Sequence, residues 1–290
     1  MRPYLISAAS WFIGIVAASN VLSAGAPDAK DQSMVNVGLQ LWSFRAQMEK
    51  DVPGTLELAH KMGVTDVEVA GLYKLSPEQF RALLEKNELK ASGIHFQWDQ
   101  FSKDIDGIIQ ECKALGVHYV TLPWIPHKAK FTIENAHDAA AKFNEWGEKL
   151  SQAGLKFTYH AHGYEFRPYE KGTLFDVMVV ETKPQFVNFE LDIFWAYDGG
   201  ADPVKLMQAY PDRFLLMHLK DMRKDVKTPN YTGHEDLEAD VPLGTGQLDI
   251  PAILKEAKKI GVKHFYIEDE SKESVGRVPQ SIAYIRSIGE

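Results

Sequence analysis

Residues able to do chemistry gather in four short stretches of this 290-residue chain. The first reads His160-Ala161-His162 followed by Glu165, and the second Glu190-Leu191-Asp192. The third is His218-Leu219-Lys220-Asp221, and the fourth Glu268-Asp269-Glu270. Mixed carboxylates and imidazoles form an oxygen and nitrogen donor set. Such a set suits one divalent metal ion of the Mn²⁺, Mg²⁺, Co²⁺ or Zn²⁺ kind rather than a thiolate-seeking metal. No single spacing here is specific; the signal is the conjunction of all four.

Alternation shows which way these residues face, because side chains two apart in a strand share a side. Val187, Phe189, Leu191 and Ile193 point one way, and Asn188, Glu190 and Asp192 the other. Leu215, Met217 and Leu219 oppose His218 and Lys220. Phe265 and Ile267 oppose Tyr266, Glu268 and Glu270, while Val67 and Val69 oppose Glu68. The apolar sets suit a wall covered by helices, and the polar sets an enclosed axis. Burying so many ionisable groups without partners costs several kcal/mol each, so a metal or polar ligand accounts for them. An antiparallel sheet with one wet face would alternate too, but the intervening helices argue against it.

The elements that must position these residues repeat as strand then helix. Strands are expected over residues 36–44, 65–71, 90–96, 118–124, 156–162, 187–193, 214–221 and 263–270. Helices are expected over 52–63, from Ser76 onward, and over 103–116, 132–154, 172–183, 202–210, 248–261 and 278–288. Ser76 before Pro77-Glu78-Gln79 is a strong helix start. Alternating strands and helices imply parallel pairing with crossovers. Eight such units over residues 35–290 predict an α/β fold, a single-domain (β/α)8 TIM barrel. An open doubly wound sheet would carry a glycine-rich phosphate loop after its first strand, and Leu41-Trp42-Ser43-Phe44 is not one. The polar stretch 222–247, with Gly233, Gly244 and Gly246, is expected to form a lid or an oligomer contact.

Residues 1–26 carry one charge, Arg2, then an apolar run from Tyr4 to Leu22 and the small residues Ala24-Gly25-Ala26. This is the pattern of a secretory signal peptide, with 27–34 as a linker. The alternative is an uncleaved anchor, since the run approaches spanning length. Export, most simply to a periplasm, is the expectation. A chain with 45% hydrophobic and 25% charged residues can bury a core, and a single Cys112 cannot form an internal disulfide. A net charge of −8 without a basic stripe argues against nucleic acid. The expected partner is a small molecule, with no membrane contact once the signal is removed; homo-oligomerisation stays open.

Several segments together resemble the xylose isomerase-like superfamily of TIM barrels, the sugar isomerase and epimerase group that also includes endonuclease IV. They are residues 38–43, 159–166, Glu190-Leu191-Asp192, 218–221, Pro242-Leu243-Gly244-Thr245-Gly246 and Ile267-Glu268-Asp269-Glu270. The resemblance covers residues 35–290 and implies one divalent metal held by Glu165, Asp192, His218 and Glu268. Many relatives place the first Glu on the strand itself, where this chain has His160, so His160 or Glu165 completes the sphere. The resemblance further implies enediolate chemistry on a non-phosphorylated sugar or keto-sugar, as an isomerase or epimerase. His162, Glu165 and Glu268 are the candidates for moving the proton. His95, His160, Lys220, Trp124 and Glu68 are candidates for touching the carbohydrate.

Two alternatives stand beside this: a keto-glycoside lyase or hydratase on the same metal site, and a non-catalytic sugar-binding barrel. A DNA-repair endonuclease would need more metal ligands and a basic face. Among the remaining residues, Lys220 is expected to meet a substrate oxygen or pair with a carboxylate. Glu190 is expected as an ion-pair partner or a ligand, and Glu270 as a rim charge. His118, His127, His137 and His234 are expected to be structural. Trp42, Phe44, Phe96, Trp98, Trp124, Phe194 and Trp195 are expected in the core or lid, or stacked on a sugar.

Overall fold

A computed structural model describes residues 37–289. The expected signal peptide 1–26 and linker 27–34 lie outside the described residues. Strands β1 (Val37–Gln40), β2 (Asp66–Val69), β3 (Lys90–His95) and β4 (Tyr119–Leu122) are followed by β5 (Lys156–His160), β6 (Val187–Asp192), β7 (Phe214–Leu219) and β8 (His264–Ile267). They close a parallel barrel in chain order, with β8 pairing back onto β1 through Val37 opposite Phe265 and Leu39 opposite Ile267. The register sets His160 opposite Glu190 and Asp192 opposite His218. The polar residues of neighbouring strands therefore meet at one level of the barrel.

Helices α1 (Val52–Lys61), α2 (Pro77–Lys86), α3 (Ile105–Leu115) and α4 (Ile133–Gln152) cover the first half of the wall. Helices α5 (Leu174–Glu181), α6 (Pro203–Ala209), α7 (Ile250–Ile260) and α8 (Ser274–Ile288) cover the second. Ser76 forms a complete capping box with Gln79, as its sequence predicts. The helix expected over 103–116 starts at Ile105 as α3, and a separate short helix, Trp98–Lys103, precedes it. Asp104 separates them: its backbone is non-helical and its carboxylate accepts from Gly107 N at 2.8 Å. Each helix buries one apolar stripe against the outward face of the strands. On α4 that stripe includes Ala136, Phe143, Trp146 and Leu150. A fully buried Phe or Leu contributes about 1.5–3 kcal/mol, so this shell stabilises the barrel and frees its axis for polar groups.

The strands end earlier than the sequence suggests, and the early endings shape the site. After Gln40 the chain turns into a 3-10 helix, Leu41–Phe44, whose first turn is held by the Gln40 side chain accepting from Trp42 N. β5 stops at His160, and Gly163, with φ +92°, bends the chain away. β6 stops at Asp192, whose Oδ1 accepts from Phe194 N at 2.8 Å and Trp195 N at 2.9 Å, starting a short helix over Ile193–Asp198.

The long segment after β7 is anchored by Asp221. Its carboxylate accepts from Gly244 N and Gly246 N at 2.9 Å each, and from Leu248 N at 3.1 Å. Asp221 is thus a loop clamp and not a ligand. A Cβ on Gly246 would lie 2.2 Å from the Asp221 Oδ1, so only glycine fits. Between these anchors the segment crosses the mouth of the barrel, where Gly233, His234, Glu235 and Leu237 contribute to its wall. That placement fits the lid expectation for 222–247. Among the described residues no helix is long and apolar enough to cross a membrane.

Candidate functional site

A hydrogen-bonded floor lies across the barrel axis. Gln40, at the end of β1, donates to Glu68 Oε2 of β2 at 2.7 Å. His218 Nε2 of β7 lies 2.7 Å from the same oxygen, and His95 Nε2 of β3 lies 3.0 Å from it. Glu190 Oε2 of β6 sits 2.9 Å from His160 Nδ1 and 3.3 Å from both His95 Nε2 and His218 Nε2. Burial alone would lower the His95 and His218 pKa values. Glu68 and Glu190 outweigh it at His95, pushing it up to about 10. Glu190 and Glu268 hold His218 well above the usual imidazole range.

This floor engages one nitrogen on each of two rings and turns the other toward Asp192. His160 spends Nδ1 on Glu190, so Nε2 faces upward, 3.8 Å from Asp192 Oδ2. His218 spends Nε2 on Glu68, so Nδ1 lies 3.2 Å from Glu268 Oε2 and 3.8 Å from Asp192 Oδ2. Asp192, His218 and Glu268 each offer one ligand atom within 4.8 Å of the others. Asp192 is 1% exposed, and its Oδ2 has no hydrogen-bond partner. A buried carboxylate oxygen left unpartnered among three further donors is what a cation site provides. Carboxylate–imidazole pairing behind each ring is the usual support of a metal-bound histidine. The donor set therefore fits a divalent cation.

Above the cluster opens a cavity of about 290 Å³, lined by His95, His160, His162, Glu268 and three tryptophans among others. His162 lies in the loop after β5, its Nδ1 is unpartnered, and its ring meets Trp124 edge-on at 5.2 Å. Burial, with His160 and Lys220 nearby, keeps its imidazole well below the usual range and hence neutral. Lys220 follows β7 and pairs with Glu270 Oε1 at 2.6 Å and Glu268 Oε2 at 3.4 Å. Burial opposes its charge, but Asp240, Glu270 and Glu268 hold its pKa well above that of a free lysine. Of its two expected roles, the structure shows carboxylate pairing.

Asp192, His218 and Glu268 meet in one cluster, and His160 rather than Glu165 stands beside it, its Nε2 3.8 Å from Asp192 Oδ2. Glu165 is the correction. Its carboxylate lies behind β5, accepting from the Tyr159 hydroxyl and from His162 N at 3.1 Å. Tyr159 has the opposite strand parity to His160, so Glu165 neither reaches the cluster nor lines the cavity. Glu68 also departs from expectation: it is fully buried in the floor and touches no cavity space. His95, His160 and Trp124 do line the cavity; Glu190 pairs with His160 and also stands with His95, His160 and His218 in a second group whose ligand atoms lie within 4.8 Å of one another. His234, expected to be structural, lines it as well, tilted against Trp124 at 5.2 Å. Gln97 and Glu235 also reach the wall and carry no sequence signal, since a lid contact depends on how a long loop folds back.

A closed parallel barrel with an acidic and imidazole cluster at the carboxyl ends of β5 to β8 defines a TIM barrel with a metal-type site. The model of the xylose isomerase-like TIM barrel family matches residues 56–288, and the chain belongs to that family. It is 37% identical over 193 residues to an inosose dehydratase of Geobacillus kaustophilus, a match covering 57% of this chain and 60% of that relative. The chain thus matches less than two thirds of that curated relative's length. A solved sugar phosphate isomerase/epimerase from Parabacteroides distasonis is 26% identical, with a TM-score of 0.70, over 87% of this chain and 94% of that one. The solved IolI protein with a bound zinc atom is 17% identical, with a TM-score of 0.68, over 88% and 96% of the two chains, a likeness of fold alone.

Proposed function

We propose that this chain is a divalent-metal-dependent enzyme acting on a non-phosphorylated keto-sugar or cyclic polyol ketone. It removes the proton next to the carbonyl and expels the hydroxyl group of the following carbon as water. The observation that carries this reading is Asp192 Oδ2, buried without a partner and surrounded by His160, His218 and Glu268 beneath an open cavity. Those four residues would hold the metal, of the Mn²⁺, Mg²⁺, Co²⁺ or Zn²⁺ kind. When bound, it would polarise a carbonyl and stabilise the negative charge that develops as the proton leaves.

The chain's own residues supply the proton transfers. His162 is neutral, lines the cavity and has Nδ1 free, so it can take the carbon-bound proton. The C–H electron pair becomes the new C=C bond, and the C–O bond to the neighbouring hydroxyl breaks. The departing hydroxide takes the proton from His162 and leaves as water, returning the imidazole to neutrality. Among the described residues the cavity wall carries Glu235, Glu268 and Glu270 and no Lys or Arg. A phosphate dianion would meet carboxylates there, so an uncharged substrate fits better. The name of the Geobacillus relative supports dehydration.

The second reading is isomerase or epimerase chemistry, favoured by the Parabacteroides relative. Its first step is the same, but the proton then returns to the adjacent carbon from His162, or a second acid of the wall, such as Glu268, delivers one to the opposite face. Incubating Mn²⁺-loaded protein with 2-keto-myo-inositol and a panel of keto-sugars in D₂O separates the two. Dehydration gives vinyl signals by NMR and loss of one water by mass. Epimerisation gives deuterium incorporation without that loss. Neither exchange nor water loss across the panel would remove both readings. The proposal also places the enzyme outside the cytoplasm, which mature protein beginning near Pro27 in a periplasmic fraction would support.

A further inference from the structure

Among the described residues four large apolar side chains stand well exposed: Trp42, Val180, Leu237 and Ile288. Two of them, Trp42 and Leu237, each 43% exposed, line the mouth of the same cavity from unrelated parts of the chain. Trp42 belongs to the turn after β1, and Leu237 to the lid segment. Scattered exposed hydrophobics need no explanation, but a pair at one cavity mouth does.

Trp42 is also held in place. Its indole Nε1 donates to Glu270 Oε2 at 3.2 Å, and the Arg45 guanidinium lies 5.0 Å from its ring centre. Arg45 in turn donates to Trp42 O at 3.0 Å and Glu270 O at 2.7 Å. The other Glu270 oxygen is fixed by Lys220 at 2.6 Å. An aromatic ring pinned along its edge and covered on one side, yet still exposed, is preorganised to receive a flat apolar surface. Chemistry is confined to the inner end, where His160, His162 and Glu268 lie. Trp42 and Leu237 flank the outer end. The volume of about 290 Å³ lies near the lower limit of pockets that hold drug-sized molecules, which are larger than one sugar ring.

We propose that Trp42 and Leu237 form an outer subsite for the aglycone of a glycoside. The substrate then carries a second group with a flat apolar face, either an aryl group or the C–H face of another sugar. This rests on the proposed carbohydrate site and extends it from a free sugar to a glycoside.

The test is binding by calorimetry to Mn²⁺-loaded protein, which needs no turnover. Methyl, phenyl and glucosyl β-glycosides of glucose, galactose and mannose are the probes. For at least one sugar, the phenyl or glucosyl glycoside is expected to bind about tenfold more tightly than the methyl glycoside. A gain confined to phenyl assigns the subsite to an aryl group; a gain with glucosyl assigns it to a second sugar. Trp42→Ala and, separately, Leu237→Ser should each shrink that ratio, with circular dichroism and metal content as checks on folding. Equal affinities in all three sugar series, a ratio untouched by both substitutions, or no binding of any probe would overturn the proposal. Selective glycoside binding by protein that turns over no keto-sugar would leave the subsite standing and remove the enzymatic reading. Turnover without selectivity would do the reverse.

Discussion

The backbone N–H of His162 is shared between both carboxylate oxygens of Glu165, at 3.1 Å each. Tyr159 donates to the same carboxyl and lies 3.0 Å from the Tyr164 hydroxyl, which accepts from Ile125 N at 3.0 Å. This chain of contacts ties the loop carrying His162 to the loop carrying Trp124. Glu165 therefore fixes the backbone of His162 and does not line the cavity.

Burial raises the Glu165 carboxyl to about 7. A raised pKa means that the folded state holds this proton more tightly than the unfolded chain does. The resulting stability is fully present below the unfolded value and is lost as pH rises through about 7. Glu165→Gln should flatten that part of the stability profile, a difference on the order of 2–3 kcal/mol between about pH 4 and about pH 8. Urea unfolding midpoints at both pH values measure it; parallel profiles for the two proteins would contradict the assignment.

Asp192→Asn and His218→Ala should each lower metal content and activity together, while Glu165→Gln keeps its metal. Glu190→Gln, which removes the carboxylate behind His160, should weaken metal affinity by about ten- to a hundredfold. Elemental analysis after dialysis against a defined free-metal buffer reads all four variants. Full occupancy in Asp192→Asn and His218→Ala would break the ligand set.

Substituting His162 should separate chemistry from metal binding. His162→Ala is expected to lower kcat by about a hundred- to ten-thousandfold with metal content unchanged. Single-turnover rates and elemental analysis on the same sample check both halves. An unchanged kcat would assign the proton transfer to another group.

The lid segment carries a further test at Gly233. Its φ is +70°, and a Cβ there would lie 2.7 Å from the Tyr164 ring and 2.9 Å from the Trp124 ring. Gly233→Ala should displace the lid from the cavity mouth, raising KM more than it lowers kcat. Steady-state kinetics on the substrate identified in D₂O would show the split, and a KM equal to wild type would mean that the segment does not cover bound substrate.

Much of this site is legible in residue order because strand parity is local physics. Alternation in Val187–Asp192 and Phe214–Leu219 places Glu190, Asp192 and His218 on the axis, and the apolar partners on the wall. Parity fails where the strand ends. His162 shares a parity with His160 but lies past the end of β5, where tertiary contacts and not alternation set its direction, and Glu165 folds behind the sheet to meet Tyr159. Glu68 points inward as its parity says, yet its depth, set by the register against β1 and β3, puts it beneath the cavity.

The amino-acid order by itself determined the eightfold strand–helix rhythm, the inward and outward faces, and the donor types at the ends of the last four strands. These follow from neighbours a few residues apart, through period-two alternation and helix caps. Tertiary structure decided which imidazole completes the cluster, which carboxylates stand behind it, and that Trp42 and Leu237 share one rim. Those outcomes depend on barrel closure and on a long loop folding back, which bring together groups far apart in the chain that no local pattern links.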